Sequence, residues 1–321
     1  MVHKRRDFLI TFTILCLAMC ACSGFQYLGS AFYGLVWHRI HGLGSGGARL
    51  LSGLFDSPWT GVLVQYIFSI GVPFLLVIPM TCFVRSDRRP VHTLPAEVWM
   101  SALFMCLGLG YIFNFLGVFL DVFISMFTGV PATDMNPVMD ALDELTPGMV
   151  IYTCLIAPFM EEFIFRGVLL KKARRFGDRT AVAFTAVLFG LMHGNLLQFF
   201  YAASIGLILG YVAVRTSSIR YTVLMHMAIN SFSTVMVAGQ ELVAAALGDL
   251  AAVPYSMAFL AFLVFMTAGG AMVLWRFGPI WYRQVTAHNG EKSPWKKYVY
   301  WNPGFLLFLG LCLLEMIVYL F

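Results

Sequence analysis

Long apolar runs separated by short polar segments dominate the pattern of this chain. A run of roughly 17–25 mainly apolar residues can cross about 30 Å of hydrocarbon as an α-helix. Nine such runs begin near Phe8, Gly61, Val98, Gly148, Ala181, Leu197, Tyr221, Pro254 and Gly304. The pattern predicts an all-α, polytopic membrane bundle of about nine transmembrane helices, with eight as the next count, and it shows no internal repeat.

The basic residues between these runs predict the orientation of the bundle. Lys and Arg collect in cytoplasmic loops, so they should appear after every second run. Eighteen of the 21 Lys and Arg precede the first run or follow the second, fourth, sixth and eighth. The opposite loops hold only Arg39 and Arg49, and Arg166 lies within a run. We therefore predict that the N-terminus is cytoplasmic and the C-terminus is outside.

Composition agrees with a membrane protein and limits its partners. Of the 321 residues, 60% are hydrophobic and only 12% are charged, which is typical of a polytopic membrane chain. The net charge of +5 is spread over five loops, which indicates attraction to membrane lipids and argues against a nucleic-acid partner. The seven cysteines show no CxxC spacing and are interpreted as small buried hydrophobes.

The amino-terminal segment has one alternative interpretation. HKRRDFLITF followed by LCLAMCAC is similar to a twin-arginine or lipoprotein-type signal. Eight further apolar runs favour a first anchor helix instead. We therefore expect one membrane domain over residues 1–321.

Charged side chains inside the fourth run are the first candidates for chemistry, because such groups are expensive in hydrocarbon and often mark function. The stretch APFMEEFIFRGVLL contains Glu161, Glu162 and Arg166. At about 100° per residue, Glu162 and Arg166 share one helix face, whereas Glu161 is about 140° from Arg166. We predict that Glu162 and Arg166 form a buried ion pair for structural support, which leaves Glu161 for catalysis.

Imidazole and amide groups occur in three later runs. Only His193 and His226, of seven histidines, fall within runs. His226 and Asn230 are four residues apart, so both should project into one site. His193 precedes a Gly-Asn break that belongs in protein interior or beside a wet cavity. Asp121 is predicted to be an interfacial carboxylate, and Glu315 has no motif context and is left outside the site.

Two hydrolytic schemes fit these groups. Without a metal, Glu161 is a general base that activates water, His193 positions that water, and His226 and Asn230 donate hydrogen bonds to the oxyanion. With a metal, Glu161, His193 and His226 form a His₂Glu site with one position open for water, as in catalytic zinc centres. HExxH is absent, so the cofactor stays unknown and the metal-free scheme is preferred. A proton-coupled transporter is a further alternative, although the usual inverted repeat is not visible.

Three short motifs follow one another on successive runs: EExxxR at Glu161, Glu162 and Arg166, FxxxH at Phe189 and His193, and HxxxN at His226 and Asn230. Together they resemble the CPBP family of intramembrane proteases. The surrounding GLILGY, in which Gly206 and Gly210 form a small-xxx-small packing pair, resembles that family too. That family comprises the type II CAAX prenyl endopeptidases and bacterial relatives linked to bacteriocin processing and self-immunity. The resemblance covers about residues 148–239 and leaves 1–147 and 240–321 as accessory transmembrane helices.

The resemblance implies a function that the motif residues alone do not. It implies that Glu161 is the catalytic glutamate, that His193, His226 and Asn230 complete the site, and that the chain is an intramembrane endopeptidase. The expected substrate is a membrane-associated protein or peptide, and we favour one that is not prenylated. A non-enzymatic scaffold or self-immunity protein is the alternative within the same family, and the expected location is the bacterial cell membrane.

Overall fold

The computed structural model describes residues 5–43, 46–130, 146–286 and 294–318, and every regular element in these ranges is helical. The helices are α1 Arg5–His41, α2 Gly46–Asp56, α3 Gly61–Met80, α4 Ala96–Thr128, α5 Pro147–Phe176, α6 Asp178–Leu191, α7 Leu196–Thr216, α8 Arg220–Leu247, α9 Asp249–Thr286 and α10 Pro303–Val318. A short 3₁₀ turn, Lys296–Val299, precedes α10. The predicted all-helical bundle is confirmed.

Seven helices in the described ranges are long and apolar enough to span a membrane, namely α1, α3, α4, α5, α7, α8 and α9. The fifth and ninth predicted spans correspond to α6 and α10, which have only 14 and 16 residues. At about 1.5 Å per residue, α6 covers roughly 21 Å and falls short of the hydrocarbon thickness. The predicted fifth span was therefore too long.

Helix α5 is irregular where the candidate charges lie. Two π-helical segments, Tyr152–Ile156 and Phe163–Leu169, flank the α-helical segment Ala157–Glu162. π-helical turns are rare and frequently accompany functional sites. Each widened turn also changes the angle between side chains, so the angles calculated for a regular helix do not extend through the whole of α5.

Two apolar clusters hold the bundle together. The first lies where α1, α5, α6 and α10 meet, and Phe12 contacts Phe176 and Phe184 there with ring-centroid distances of 5.3 and 4.8 Å. The second joins α4, α7, α8 and α9 around residues such as Leu209 and Met225. Helix α5 contributes to the first cluster and packs on α8 of the second. Its charged segment therefore lies between the two clusters.

Small residues bring α6 and α7 close together. A Cβ atom on Gly206 would lie 3.2 Å from Cα of Ala186, and one on Gly210 would lie 3.1 Å from Cγ1 of Val182. This is the close approach expected of a small-xxx-small pair, and it confirms the predicted packing role of Gly206 and Gly210. The same approach places the Gly206 backbone beside α5.

Candidate active site

The predicted ion pair between Glu162 and Arg166 is present and fully buried. Arg166 Nη1 donates to Glu162 Oε1 at 2.7 Å, and both side chains are 0% exposed. Arg166 Nη2 donates to the Gly206 carbonyl at 3.2 Å, and its guanidinium carbon lies 4.6 Å from the centroid of the Phe189 ring. The pair therefore joins α5 to both α6 and α7 in the bundle interior.

His226 lies between the two neighbouring glutamates. Its Nδ1 is 3.2 Å from Glu162 Oε1, and its Nε2 is 3.7 Å from Glu161 Oε2. An ionised carboxylate only accepts hydrogen bonds, so Glu162 favours the His226 tautomer with a proton on Nδ1 and a lone pair on Nε2 facing Glu161. The Glu161 side chain is 17% exposed, which distinguishes it from the fully buried Glu162.

The contact between Glu162 and His226 was not predicted. The two residues are separated by 64 positions, and no motif spacing connects them. Glu162 was interpreted only as the partner of Arg166, whereas the structure shows that one of its oxygens accepts hydrogen bonds from both Arg166 and His226.

His193 lies in the turn between α6 and α7. Its Nδ1 bonds to the Phe189 carbonyl at 2.7 Å, so Nδ1 is the donor and Nε2 is left for another contact. The Phe189 ring packs edge-on against both imidazoles, at 5.0 Å from His193 and 5.7 Å from His226. His193 is within electrostatic range of Glu161 and His226, so the structure brings the three predicted groups into one region.

Asn195 fixes the turn that carries His193. Its Oδ1 accepts the Gln198 backbone N–H at 2.8 Å and caps the first turn of α7, and its Nδ2 donates to the His193 carbonyl at 3.1 Å. Asn195 is 1% exposed. A buried side chain with these bonds satisfies backbone groups of a non-helical turn in the protein interior, where unpaired backbone groups are costly.

Glu315 and Asp121 are the two carboxylates that lie in predicted spans but outside the motifs. Glu315 accepts from the Tyr27 hydroxyl at 2.8 Å, and its carboxylate packs against Gly194, in the turn next to His193. It therefore supports the turn rather than lying apart from it. Asp121 is 3% exposed on α4, and its predicted position at the membrane interface stays a prediction.

Asn230 ties α8 to the irregular part of α5. Its Nδ2 donates to the Thr153 carbonyl at 3.0 Å, within the π-helical segment Tyr152–Ile156. Two tyrosines that the sequence did not single out, Tyr152 and Tyr201, lie within electrostatic range of Glu161. The chain contains 13 tyrosines, and neither of these has a spacing that distinguishes it from the others.

The predicted metal ligands are not grouped as a metal site in this arrangement. Within the described ranges, no three His, Cys, Asp or Glu side chains are grouped so that they could hold a metal ion. His193 Nδ1 bonds to a backbone carbonyl and His226 Nδ1 to Glu162, which leaves Nε2 of each imidazole for another contact. Metal-ligating histidines commonly have this second bond, so these bonds fit both hydrolytic schemes, and the steps below use only the side chains of this protein.

Fold and site together define a multi-pass membrane protein whose interior holds carboxylates and imidazoles in contact. Residues 143–232 match the family model described as type II CAAX prenyl endopeptidase, Rce1-like. The matched segment includes all six predicted catalytic and supporting residues, and it largely coincides with the predicted core 148–239. The resemblance drawn from the three motifs is confirmed for this segment.

One curated relative supports the same class of protein. The "Putative membrane peptidase YdiL" of Bacillus subtilis (strain 168) is 23% identical over 160 residues, which is 46% of this chain and 64% of the relative. The match thus spans less than two thirds of that relative's length. No solved structure matches the chain. Family and relative together support a CAAX-type membrane protease in general terms.

Proposed function

We propose that this protein is an intramembrane endopeptidase that hydrolyses a peptide bond of a membrane-associated protein or peptide. The observation that carries the proposal is the placement of Glu161, a partly exposed carboxylate, 3.7 Å from an imidazole nitrogen inside the bundle. This carboxylate belongs to the segment that matches the Rce1-like family. The proposed location is the bacterial cell membrane.

Glu161 acts as the general base in this proposal. The separation of 3.7 Å from His226 Nε2 is longer than a hydrogen bond, and a water molecule or a substrate oxygen can contact both groups. Catalytic contacts are commonly long in a free enzyme and shorten when the substrate is bound. Glu161 removes a proton from the attacking water, and the same proton is then available for the leaving amine.

Glu162 orients His226 for its part in the reaction. Because Glu162 holds the Nδ1 proton, Nε2 is the nitrogen that faces the reacting groups. With a proton taken up from solvent before the reaction, Nε2 can donate a hydrogen bond to the oxyanion of the tetrahedral intermediate. Glu162 is thus a positioning residue as well as the partner of Arg166.

His193 and Asn230 complete the proposed site. The bond between His193 Nδ1 and the Phe189 carbonyl leaves Nε2 to position the attacking water. One amide hydrogen of Asn230 is used by the Thr153 carbonyl, and the amide carries a second one for the oxyanion. The π-helical backbone that Asn230 holds also keeps α8 in register with Glu161.

A pair of glutamate variants tests the proposal. Membrane peptides from cells that produce wild-type or Glu161→Gln protein are compared by mass spectrometry, and a peptide that differs is then cleaved with purified protein. We expect Glu161→Gln to lower the cleavage rate by roughly 10²–10⁴-fold, the usual contribution of a general base. Glu97→Gln is the matched control, because it makes the same change at an exposed glutamate in the first turn of α4, outside the site.

The same comparison separates the alternative functions. A scaffold or self-immunity protein would keep its cellular phenotype in the Glu161→Gln variant, and a proton-coupled transporter would take up substrate after reconstitution without cleaving a peptide. Cleavage within a few-fold of wild type by the Glu161→Gln protein would refute the assignment of the base.

A further inference from the structure

A polar cavity lies at the end of the bundle that the basic loops predict to be cytoplasmic. It is enclosed by the segment 86–91, by the last turns of α5 and by the turn between α7 and α8, and its volume is about 430 Å³. Small-molecule sites typically measure about 300–1,000 Å³. The cavity is therefore large enough for a headgroup-sized ligand.

The walls of this cavity are joined by hydrogen bonds. The Asp87 N–H donates to the Lys171 carbonyl at 2.8 Å and ties the segment 86–91 to α5. Arg174 Nη1 donates to Ser217 Oγ at 2.9 Å, and Arg174 Nη2 donates to the Val214 carbonyl at 2.7 Å. These bonds connect α5 to the end of α7, so the cavity is part of the folded structure.

Positive charge dominates the lining. Five cationic residues face the cavity, and they are Arg88, Arg89, Arg166, Lys171 and Arg174. Three of them are in ion pairs: Arg89 with Asp87 and Asp178, Arg166 with Glu162, and Arg174 with Asp178.

The net positive charge of the cavity lining comes from the other two cations. Asp87 is the only carboxylate among the lining residues, and it is paired with Arg89. Within the part of the chain that the structure describes, Arg88 and Lys171 form no ion pair, and the hydroxyl-bearing Ser86 and Ser218 lie beside them in the lining. The cavity thus offers two cations and additional hydrogen-bond donors to an anionic group.

Aromatic side chains place the cavity at the level of the lipid headgroups. The Tyr221 hydroxyl accepts the Leu94 N–H at 3.0 Å, and Trp99 Nε1 donates to the Tyr221 carbonyl at 3.2 Å. Tyr211 and Trp281 stack at 4.8 Å on the same end of the bundle. Trp and Tyr gather at the membrane–water interface, so this end of α7 and α8 lies at that interface.

We propose that this cavity binds the phosphate of an anionic phospholipid headgroup through Arg88 and Lys171. Basic pockets between transmembrane helices on the cytoplasmic side are suited to such headgroups. A lipid phosphate is favoured over a peptide carboxylate because Glu161 is not among the described residues that line the cavity, and Arg166, the lining residue nearest to it in sequence, is paired with Glu162. The site does not depend on peptidase activity.

Lipid binding to purified full-length protein tests this proposal. Delipidated protein in detergent is titrated with phosphatidylglycerol or with phosphatidylcholine of the same acyl chains, and bound lipid is counted by native mass spectrometry. We expect selective retention of phosphatidylglycerol. The Arg88→Gln/Lys171→Gln variant should bind it roughly 30-fold more weakly, from the attraction that each cation near a membrane surface contributes.

Two further variants make the result specific. Arg276→Gln/Lys297→Gln removes the same charge from residues outside the cavity lining and should bind like wild type. Arg88→Lys/Lys171→Arg keeps both charges, so it should retain binding if the fold and the site are intact. The measurement is repeated in the Glu161→Gln background, where an unchanged affinity shows that the cavity acts independently of the proposed base.

Several outcomes would overturn the proposal. Equal retention of phosphatidylcholine would show that the cavity does not select an anion. An equal loss in both glutamine double variants would show diffuse surface charge rather than a site. Displacement of the lipid by an equal concentration of inorganic phosphate would assign the cavity to free phosphate, and displacement by an acetylated peptide acid would assign it to a peptide.

Discussion

Replacement of Arg166 by alanine would leave a carboxylate without its cation in the interior of the bundle. In the wild type, Arg166 Nη1 lies 2.7 Å from Glu162 Oε1, and both side chains are 0% exposed. The substitution also removes the bond to the Gly206 carbonyl and the guanidinium contact with Phe189. His226 would remain as a neutral hydrogen-bond partner of Glu162.

The expected cost follows from this burial. Removal of one partner of a buried ion pair typically destabilises a protein by about 3–5 kcal/mol, because the remaining charge is uncompensated. Folded proteins have a total stability of about 5–15 kcal/mol, so the loss is a large fraction of it. We expect Arg166→Ala protein to give a low folded yield and a lower midpoint in thermal denaturation followed by circular dichroism.

A double variant tests the physical reason. Glu162→Gln/Arg166→Met removes both charges and keeps side chains of similar length, and replacement of a buried pair by neutral groups is often close to neutral in stability. The double variant should therefore be more stable than Arg166→Ala. A single variant as stable as wild type, or a double variant no better than the single, would refute the reasoning that the pair is held by mutual charge compensation.

Three further predictions concern the supports of the site and its cofactor. Gly194→Ala should lower both stability and cleavage rate, since Gly194 has φ +67° and a Cβ atom there would lie 2.5 Å from Glu315 Cδ. Thermal denaturation and the cleavage assay measure the two effects. Gly24→Ala is the control, because a Cβ atom on Gly24 would meet nothing within 4 Å. Lys172→Met should destabilise the segment that follows α3 by about 1.5–3 kcal/mol, because Lys172 Nζ donates to the Thr81 and Val84 carbonyls at 2.7 and 2.8 Å. Limited proteolysis of this segment measures the effect, and Lys171→Met is the control. A metal chelator should leave the cleavage rate unchanged, and restoration of a lost rate by added zinc would contradict the metal-free scheme.

The relation between the two adjacent glutamates explains why the site contains so much charge. Glu162 is neutralised by Arg166 and holds His226, whereas Glu161 is turned toward the other nitrogen of the same imidazole. Although the two residues are adjacent, the Glu162 carboxylate thus supports the structure of the site and the Glu161 carboxylate is the proposed general base. The cost of burying Glu162 and Arg166 is offset by the bonds that fix the position of His226.

Much of the site could be predicted from local spacing. Glu162 and Arg166 are four residues apart on one helix, so their pairing follows from helix geometry. The small pair Gly206 and Gly210 likewise predicted a close helix contact. The turn at His193 was predicted from the glycine and asparagine that follow it.

Contacts between distant segments could not be predicted in this way. No spacing along the chain connects Glu162 with His226 or Glu315 with Gly194, because these pairs come together only when α5 packs on α8 and α10 packs beside the turn after α6. The length of α6 was also misjudged, since apolar residues continue through the turn and into α7. Only the backbone shows where one helix ends and the next begins.

The sequence by itself determined the environment, the helical class and the residues available for chemistry, because hydrocarbon admits long apolar helices and penalises each charge within them. Tertiary structure decided which nitrogen of His226 faces which glutamate, how the turn at His193 is supported, and where the cations Arg88 and Lys171 meet in a cavity. These features depend on how whole helices pack against one another. That packing is the sum of many contacts between residues far apart in the chain, and no single spacing in the sequence records it.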